Sequence, residues 1–97
     1  MNNLMTQERE AAILEGAIRN FGVNNQIIVA IEEMTELTQA LTKWLRNPGI
    51  GRETDIREEM ADVWIMLNQL ALIFGDCTDE EIFKLERLER TVQRDDP

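Results

Sequence analysis

The sequence contains no histidine, no tyrosine and only one cysteine among its 97 residues. The lack of histidine argues against a catalytic zinc site and excludes the Glu-x-x-His motif of carboxylate-bridged di-iron bundles. The single Cys77 excludes an intrachain disulfide and is consistent with a reducing cytosol. No apolar run approaches the roughly 20 residues that span a bilayer, and residues 1–4 do not resemble a signal peptide. We therefore expect a cytoplasmic protein with no membrane partner.

Basic residues are also scarce. The chain has 10 Lys and Arg against 19 Asp and Glu, which gives a formal net charge of −9. The acidic residues are spread along the chain, and a nucleic-acid surface would need clustered Lys and Arg to neutralise phosphates. We expect no nucleic-acid partner. A small anionic ligand remains compatible with this charge if a cation bridges it to the protein.

Glycine and proline are few and occur almost only where helices should end. The pattern predicts four helices, at residues 6–20, from 24 or 25 to about 46, from 54 or 55 to about 74, and from 78 to about 92. Gly22 and Gly75 are predicted stops, and residues 47–51 a loop. Asp55 with Glu58 and Thr78 with Glu81 have capping-box spacing. We expect one all-α domain over residues 1–97, with its motif-bearing core at about 24–92.

Apolar residues at alternating spacings of three and four predict a packing seam on each long helix. Two long helices joined by a short loop should then pack antiparallel at the centre of a four-helix bundle. Met34, Met60 and Met66 are expected in the core, and Trp64 in the core or a subunit interface. The predicted seams comprise Ile27, Ile31, Met34, Thr38, Leu41 and Leu45, and Ile56, Met60, Val63, Leu67, Leu70 and Phe74.

Two acidic clusters at helical spacing are the strongest functional signal. The first runs from Glu32 to Glu36, and the second, after 22 intervening residues, is Glu59-Met60-Ala61-Asp62. Residues three or four apart share one face of a helix, so each cluster would present carboxylates side by side. Oxygen-only donor sets of this kind suit Mg²⁺, with Mn²⁺ as a substitute.

A helical wheel at about 100° per residue separates these acids from ordinary surface charges. Glu59 falls within the apolar arc of its helix and Asp62 at its edge, whereas Glu58 points away. Glu33 borders the apolar face of the other helix, with Glu36 one step further round. Acids facing an apolar seam are costly unless they are paired, protonated or bound to a cation. This placement favours a metal site.

The pattern Glu-Glu-x-x-Glu followed by Glu-x-x-Asp resembles the signature of the MazG-like all-α nucleoside triphosphate pyrophosphohydrolases, and short phage-type members in particular. Here it reads Glu32-Glu33-Met34-Thr35-Glu36, then Glu59-Met60-Ala61-Asp62. The segment from Lys84 to Leu88 is similar to the usual last helix, so the resemblance covers about residues 25–92. It implies hydrolysis of a nucleoside triphosphate to a monophosphate and pyrophosphate.

The resemblance also implies roles for single residues. Glu33, Glu36, Glu59 and Asp62 would bind Mg²⁺, and Glu32 would orient the attacking water, hold a second ion or face solvent. By their charge, Lys84 and Arg87 are candidates to contact the phosphates, unless they are solvated charges, and the family has a lysine at the position of Lys84. The aromatic Trp44 is a candidate to stack on the base, with packing as the alternative. Further cationic candidates are Arg90, Lys43, Arg46 and Arg52.

Two other interpretations stay open. An acidic helical module could bind a basic partner or store divalent ions, and phosphoribosyl-ATP hydrolysis would use similar carboxylates. Apolar residues also extend beyond the seams, which predicts a homodimer or homotetramer. The base and sugar of the substrate are not predicted by the sequence.

Overall fold

The computed structural model describes residues 5–95, which form four α-helices joined by short segments. These are α1 (Gln7–Phe21), α2 (Val23–Arg46), α3 (Ile50–Phe74) and α4 (Thr78–Asp95). The predicted all-α class is confirmed, and the described part of the chain contains no strand. The prediction about residues 1–4 lies outside the described residues. Within residues 5–95, no helix is both long enough and apolar enough to cross a membrane.

The start of α1 and the ends of α1 and α3 lie where local chemistry favours them. The Thr6 hydroxyl accepts a hydrogen bond from the backbone N–H of Arg9 at 3.0 Å and so caps α1. Gly22 and Gly75, the predicted stops, follow α1 and α3 with φ of 92° and 98°. This backbone region is strained for any residue with a Cβ atom, so glycine is the residue that these turns require.

The start of α3 corrects one prediction. The helix begins at Ile50, and the backbone N–H of Glu53 donates to the Gly49 carbonyl at 3.1 Å. Asp55 and Glu58 therefore lie inside the helix and form no capping box. No proline interrupts α3, since Pro48 precedes it, and Gly51 is accommodated in its first turn. The loop is shortened to residues 47–49.

The start of α4 also differs in detail. Thr78 is already the first helical residue, so it is not the capping residue. Its backbone N–H donates to the Asp76 carboxylate at 3.1 Å. That hydrogen bond holds the pKa of Asp76 below its ordinary value.

The main packing contact joins α2 to α3. Most of the predicted α2 seam is exposed, as are Met60, Leu67 and Phe74 of α3, whereas the other half of the predicted α3 seam is half-buried and belongs to the observed one. The observed seam is a stripe of buried and half-buried residues on each helix, still at spacings of three and four, and on α2 it is the stripe next to the predicted one. These stripes are Gln26, Ala30, Glu33, Leu37, Ala40 and Trp44 on α2, and Arg52, Ile56, Glu59, Val63, Met66 and Leu70 on α3.

The α2–α3 pair has an acidic side and an apolar side. Residues one position before each seam residue, such as Glu36 and Lys43 on α2 and Asp55 and Glu58 on α3, line one shared cleft. Residues one position after the seam, such as Ile31 and Leu67, must then share the opposite side, because each step turns the helix by about 100°. That side carries the exposed apolar residues Ile31, Met34, Leu41 and Leu45 with Met60, Leu67 and Phe74. By the same rule it also includes the charged Glu53 and Arg57 near the start of α3.

Helix α1 packs against α2 and α3, whereas α4 stands apart. Leu14 of α1 is buried, and it borders an apolar groove that also includes Trp64. Trp64 was predicted in the core or in a subunit interface. It is 68% exposed, so the core is wrong, and the interface stays a prediction. Among the described residues, no Cα of α4 lies within 8 Å of a Cα in another helix. The predicted bundle is therefore three packed helices followed by a separate fourth.

The described core is small. Its buried apolar side chains are Leu14, Ala30 and Met66. Of the three methionines expected in the core, only Met66 is buried, because Met34 and Met60 lie on the apolar side of the α2–α3 pair. The radius of gyration is 16.8 Å, against about 12.5 Å for a compact chain of this length.

Candidate metal centre

Three of the predicted metal ligands meet at the middle of the α2–α3 seam. Glu33, Glu59 and Asp62 each place a carboxylate oxygen within 4.8 Å of the other two. Glu59 and Asp62 are neighbours because they are three residues apart on α3. Glu33 faces them because it lies on the α2 stripe that contacts α3. The packing of two helices thus assembles the cluster from both halves of the sequence pattern.

The three carboxylates differ in their access to solvent. Glu33 and Glu59 are half-buried, while Asp62 is exposed. The Oε2 atom of Glu33 is buried and has no hydrogen-bond partner among the described residues. A buried carboxylate oxygen without a partner loses its hydration and gains nothing in return. Glu33 therefore needs either a proton or a cation.

The pKa values show the same requirement. Burial raises the pKa of Glu33 to about 7, helped by the hydrogen bond that its protonated form can make to Asp62 and by the charges of Asp62, Glu36 and Glu59. The pKa of Glu59 is also raised, first by burial and then by the charges of Glu36 and Asp62. Each cause disfavours a charged carboxylate. A bound divalent cation would favour the charged form of both carboxylates and so oppose these causes.

The donor set fits Mg²⁺ or Mn²⁺. All three converging groups are carboxylates, and hard divalent cations of this kind prefer oxygen ligands. Oxygens within 4.8 Å of one another can be gathered by a single ion after small side-chain rotations. The unpartnered Oε2 of Glu33 is the specific atom that such an ion would satisfy.

The other two acidic residues of the motif lie outside this cluster. Glu36 is exposed and lines the cleft on the acidic side, whose volume is about 270 Å³. Its charge still contributes to the raised pKa of both Glu33 and Glu59. Glu32 is exposed and does not join the converging oxygens.

The cleft contains further acids that the sequence analysis did not assign to the site. Asp55 and Glu58 line it together with Glu59. The spacing of Asp55, three residues before Glu58 and four before Glu59, is the same helical signal that identified the main motif. The sequence analysis interpreted Asp55 and Glu58 as a capping box, so their place in the cleft was not predicted.

The cationic and aromatic candidates differ in how near they lie to the acidic cleft. Lys43 is the one basic residue among the described residues that line the acidic cleft. Lys84 and Arg87 are exposed on α4, and the fold does not bring α4 to the cluster within one chain. Trp44 is half-buried in the α2–α3 seam beside Lys43.

A second polar feature of the seam was also not anticipated. Gln26 on α2 and Gln69 on α3 are both buried, and Oε1 of Gln69 has no hydrogen-bond partner within residues 5–95. Gln26 lies seven residues before Glu33, which is about two helical turns or 10 Å along α2. No sequence signal distinguished these glutamines from surface residues.

No protein-family model, no curated protein and no solved structure matches the chain.

Proposed function

We propose that this chain is a Mg²⁺-dependent nucleoside triphosphate pyrophosphohydrolase with a MazG-like helical fold. The observation that carries the proposal is the meeting of Glu33, Glu59 and Asp62, with Oε2 of Glu33 buried and without a hydrogen-bond partner in residues 5–95. The two halves of the sequence pattern are separated by 22 residues, yet they converge on one point of the helix pair. Acids that only face solvent would not need to lie at the same level of α2 and α3.

In this proposal the three converging carboxylates hold the ion, and Mn²⁺ is an acceptable substitute. When bound, Mg²⁺ supplies positive charge that neutralises the triphosphate oxygens and the charge developing on the leaving pyrophosphate. Lys43, on the same cleft, supplies a second positive charge for the phosphate chain. In this proposal Lys43 takes part of the phosphate binding that was predicted for Lys84 and Arg87, because those two residues lie on the separate α4.

Glu36 is the best-placed proton acceptor. Its carboxylate lines the cleft but is not one of the three converging groups, so it stays free to take a proton from the attacking water. The water oxygen forms a bond to the α-phosphorus, and the bond from that phosphorus to the bridging oxygen breaks. The electron pair leaves with pyrophosphate. A positioned base of this kind contributes about 10²–10⁴-fold to a rate.

The direct test measures pyrophosphate release from a panel of ribo- and deoxyribonucleoside triphosphates, with Mg²⁺ and with EDTA. Wild-type protein should release pyrophosphate only with the metal, and Glu59→Gln should abolish release. Glu53→Gln is the matched control, because Glu53 is an exposed glutamate on the same helix and lies outside the cleft. Folded protein with no turnover on any nucleotide would instead favour an acidic module that binds ions or a basic partner.

A further inference from the structure

We infer that Gln26 of α2 and Gln69 of α3 form a buried amide layer that holds the two long helices in the register at which the carboxylates converge. Both glutamines act on the site through the acids, so they are positioning residues. The register can be measured without metal or nucleotide. The inference therefore rests on the packing of the helix pair, and only its consequence for metal binding rests on the proposed function.

The two glutamines lie at the same level of the helix pair. Gln26 lies seven residues before Glu33, and Gln69 lies seven residues after Asp62. Seven residues are almost two helical turns, so each glutamine lies on nearly the same face as the acid of its own helix, about 10 Å along the axis. Because the helices are antiparallel and Glu33 converges with Asp62, both displacements run in the same direction. Gln26 therefore lies opposite Gln69.

Both amides are buried in the seam. Gln69 is 3% exposed and Gln26 is 6% exposed. Oε1 of Gln69 has no hydrogen-bond partner among the residues that the structure describes, and a buried amide oxygen without a partner is costly. The Gln26 side chain carries two N–H donors at the same level of the opposite helix. An amide pair, joined directly or through a buried water, satisfies this oxygen.

The other apolar residues of the seam do not fix the register. They recur at spacings of three and four on both helices, and apolar contacts are non-directional. A slide of about one turn would place Gln69 opposite Ala30 in one direction, or Gln26 opposite Met66 in the other. Either slide leaves a buried amide against an apolar side chain. A single buried polar residue selects the register of a coiled coil in the same way.

The carboxylates do not hold this register by themselves. Glu33, Glu59 and Asp62 bring like charges together across the seam, and these charges repel one another when no cation is bound. The glutamines are uncharged, so their layer favours the same register before an ion arrives. The carboxylates are then already assembled, and a preorganised site binds its ligand more tightly than one that must first be assembled.

The test compares two double variants of the seam. In the first, Gln26→Met is combined with Gln69→Met, because methionine is unbranched like glutamine but makes no amide hydrogen bonds. The matched control combines Leu37→Met with Leu70→Met, at half-buried positions of the same two helices, and keeps both glutamines.

The register is measured by cross-linking in metal-free protein. Cysteines are introduced as Glu33→Cys and Asp62→Cys in a Cys77→Ser background, since Cys77 is the only native thiol. The readout is the rate at which dibromobimane, a short cross-linker of two thiols, joins them. We expect the double glutamine variant to cross-link at least tenfold more slowly than its parent and the leucine control to match the parent. Equal rates in all three proteins would overturn the inference.

Chemical denaturation separates a paired layer from ordinary packing. Gln26→Met alone and Gln69→Met alone each leave one buried amide opposite a methionine, whereas the double variant leaves none. The double variant should therefore be more stable than either single variant. A double variant that is less stable than both, or that does not fold, would show that the glutamines only fill space and would overturn the inference.

The consequence for the metal centre is measured with Mn²⁺ alone, in protein that keeps its carboxylates. EPR of the free ion gives the affinity. We expect the double glutamine variant to bind Mn²⁺ at least tenfold more weakly than wild-type protein and the leucine control to bind it equally well. Unchanged affinity in the glutamine variant would contradict the positioning role. Wild-type protein that binds no Mn²⁺ would contradict the proposed metal centre, and the cross-linking rates would still decide whether the glutamines hold the register.

Discussion

Glu33 of α2 and Asp62 of α3 bring carboxylate oxygens within 4.8 Å of each other across the helix seam, although 28 residues separate them in the chain. This contact requires the observed register of an antiparallel pair, in which residues further along α2 face residues earlier in α3. The cleft shows the same register, because Lys43 near the end of α2 and Asp55 near the start of α3 both line it. The raised pKa of Glu33 is the electrostatic consequence.

The first prediction concerns pH in the absence of divalent metal. Glu33 has a pKa of about 7 in the folded protein, against 4.5 for an ordinary glutamate. Between these values the folded chain keeps a proton that the unfolded chain has released, so the free energy of unfolding falls as pH rises from 4.5 to 7. In EDTA, Tm should be lower at about pH 8 than at about pH 5.5.

Two variants isolate this effect from the other carboxylates. Glu33→Gln removes the titrating group and should reduce the pH dependence of Tm over this interval. Glu53→Gln, at an exposed position of α3, should leave the dependence as it is in wild-type protein. If Glu33→Gln and wild-type protein lost the same stability between the two pH values, the buried carboxyl would not be its source.

The second prediction is that Mg²⁺ raises stability most at alkaline pH. Above pH 7 Glu33 is ionised, and the cation replaces the proton that it has lost. A ligand at 100 times its Kd stabilises the folded state by about 2.7 kcal/mol, and each kcal/mol raises Tm by about 4–8 °C in a chain of this size.

The control for this titration is KCl at matched ionic strength, because any salt screens the repulsion within a chain of net charge −9. The additional stabilisation that MgCl₂ gives over KCl should be lost in Glu59→Gln. Equal stabilisation by MgCl₂ and KCl would show that the cluster does not bind the ion.

The third prediction compares alanine substitutions at two glycines that differ in backbone conformation. Gly22 lies between α1 and α2 at φ 92° and ψ 150°, so Gly22→Ala should cost about 1–3 kcal/mol of stability. Gly51 lies in the first turn of α3, and a Cβ there meets nothing within 4 Å. Gly51→Ala should be neutral or stabilise by up to about 1 kcal/mol. Chemical denaturation checks both, and equal effects would show that the strain at Gly22 is relieved elsewhere.

The helix ends were largely predictable because glycine and cap residues act locally. Thr6 caps α1, and Gly22 and Gly75 follow helices as their chemistry requires. The start of α3 was not predicted, because Asp55 and Glu58 have the spacing of a capping box whether they lie at a helix end or inside one. Local spacing does not distinguish these two cases.

The seam of α2 was misidentified by one residue for a physical reason, whereas on α3 Ile56, Val63 and Leu70 were predicted and belong to the observed seam. Helix α2 carries two adjacent stripes, and the more hydrophobic one, with Ile31 and Leu45, is the exposed one. The stripe that packs contains Ala30 and Ala40, whose small side chains allow the helices to approach closely, and it also contains Glu33. Counting apolar residues therefore favours the wrong stripe on α2.

The acidic site was more predictable than the seam that holds it. The wheel placed Glu59 and Glu33 near the packed face and Glu58 away from it, and the structure agrees in burial for all three residues. The distance between the two halves, the exclusion of Glu36 from the converging oxygens and the role of Lys43 depend on the register of α2 against α3. That register is a tertiary property, which spacing within one helix does not determine.

The measurement that tests the central claim most directly is ³¹P NMR of a nucleoside triphosphate incubated with the protein and Mg²⁺ in ¹⁸O-labelled water. Our account predicts a nucleoside monophosphate and pyrophosphate, with the label on the monophosphate and no reaction by Glu59→Gln. A nucleoside diphosphate with inorganic phosphate would show cleavage between the β and γ phosphates instead of between the α and β phosphates. No product from folded, Mg²⁺-bound protein across the nucleotide panel would contradict the proposed hydrolase.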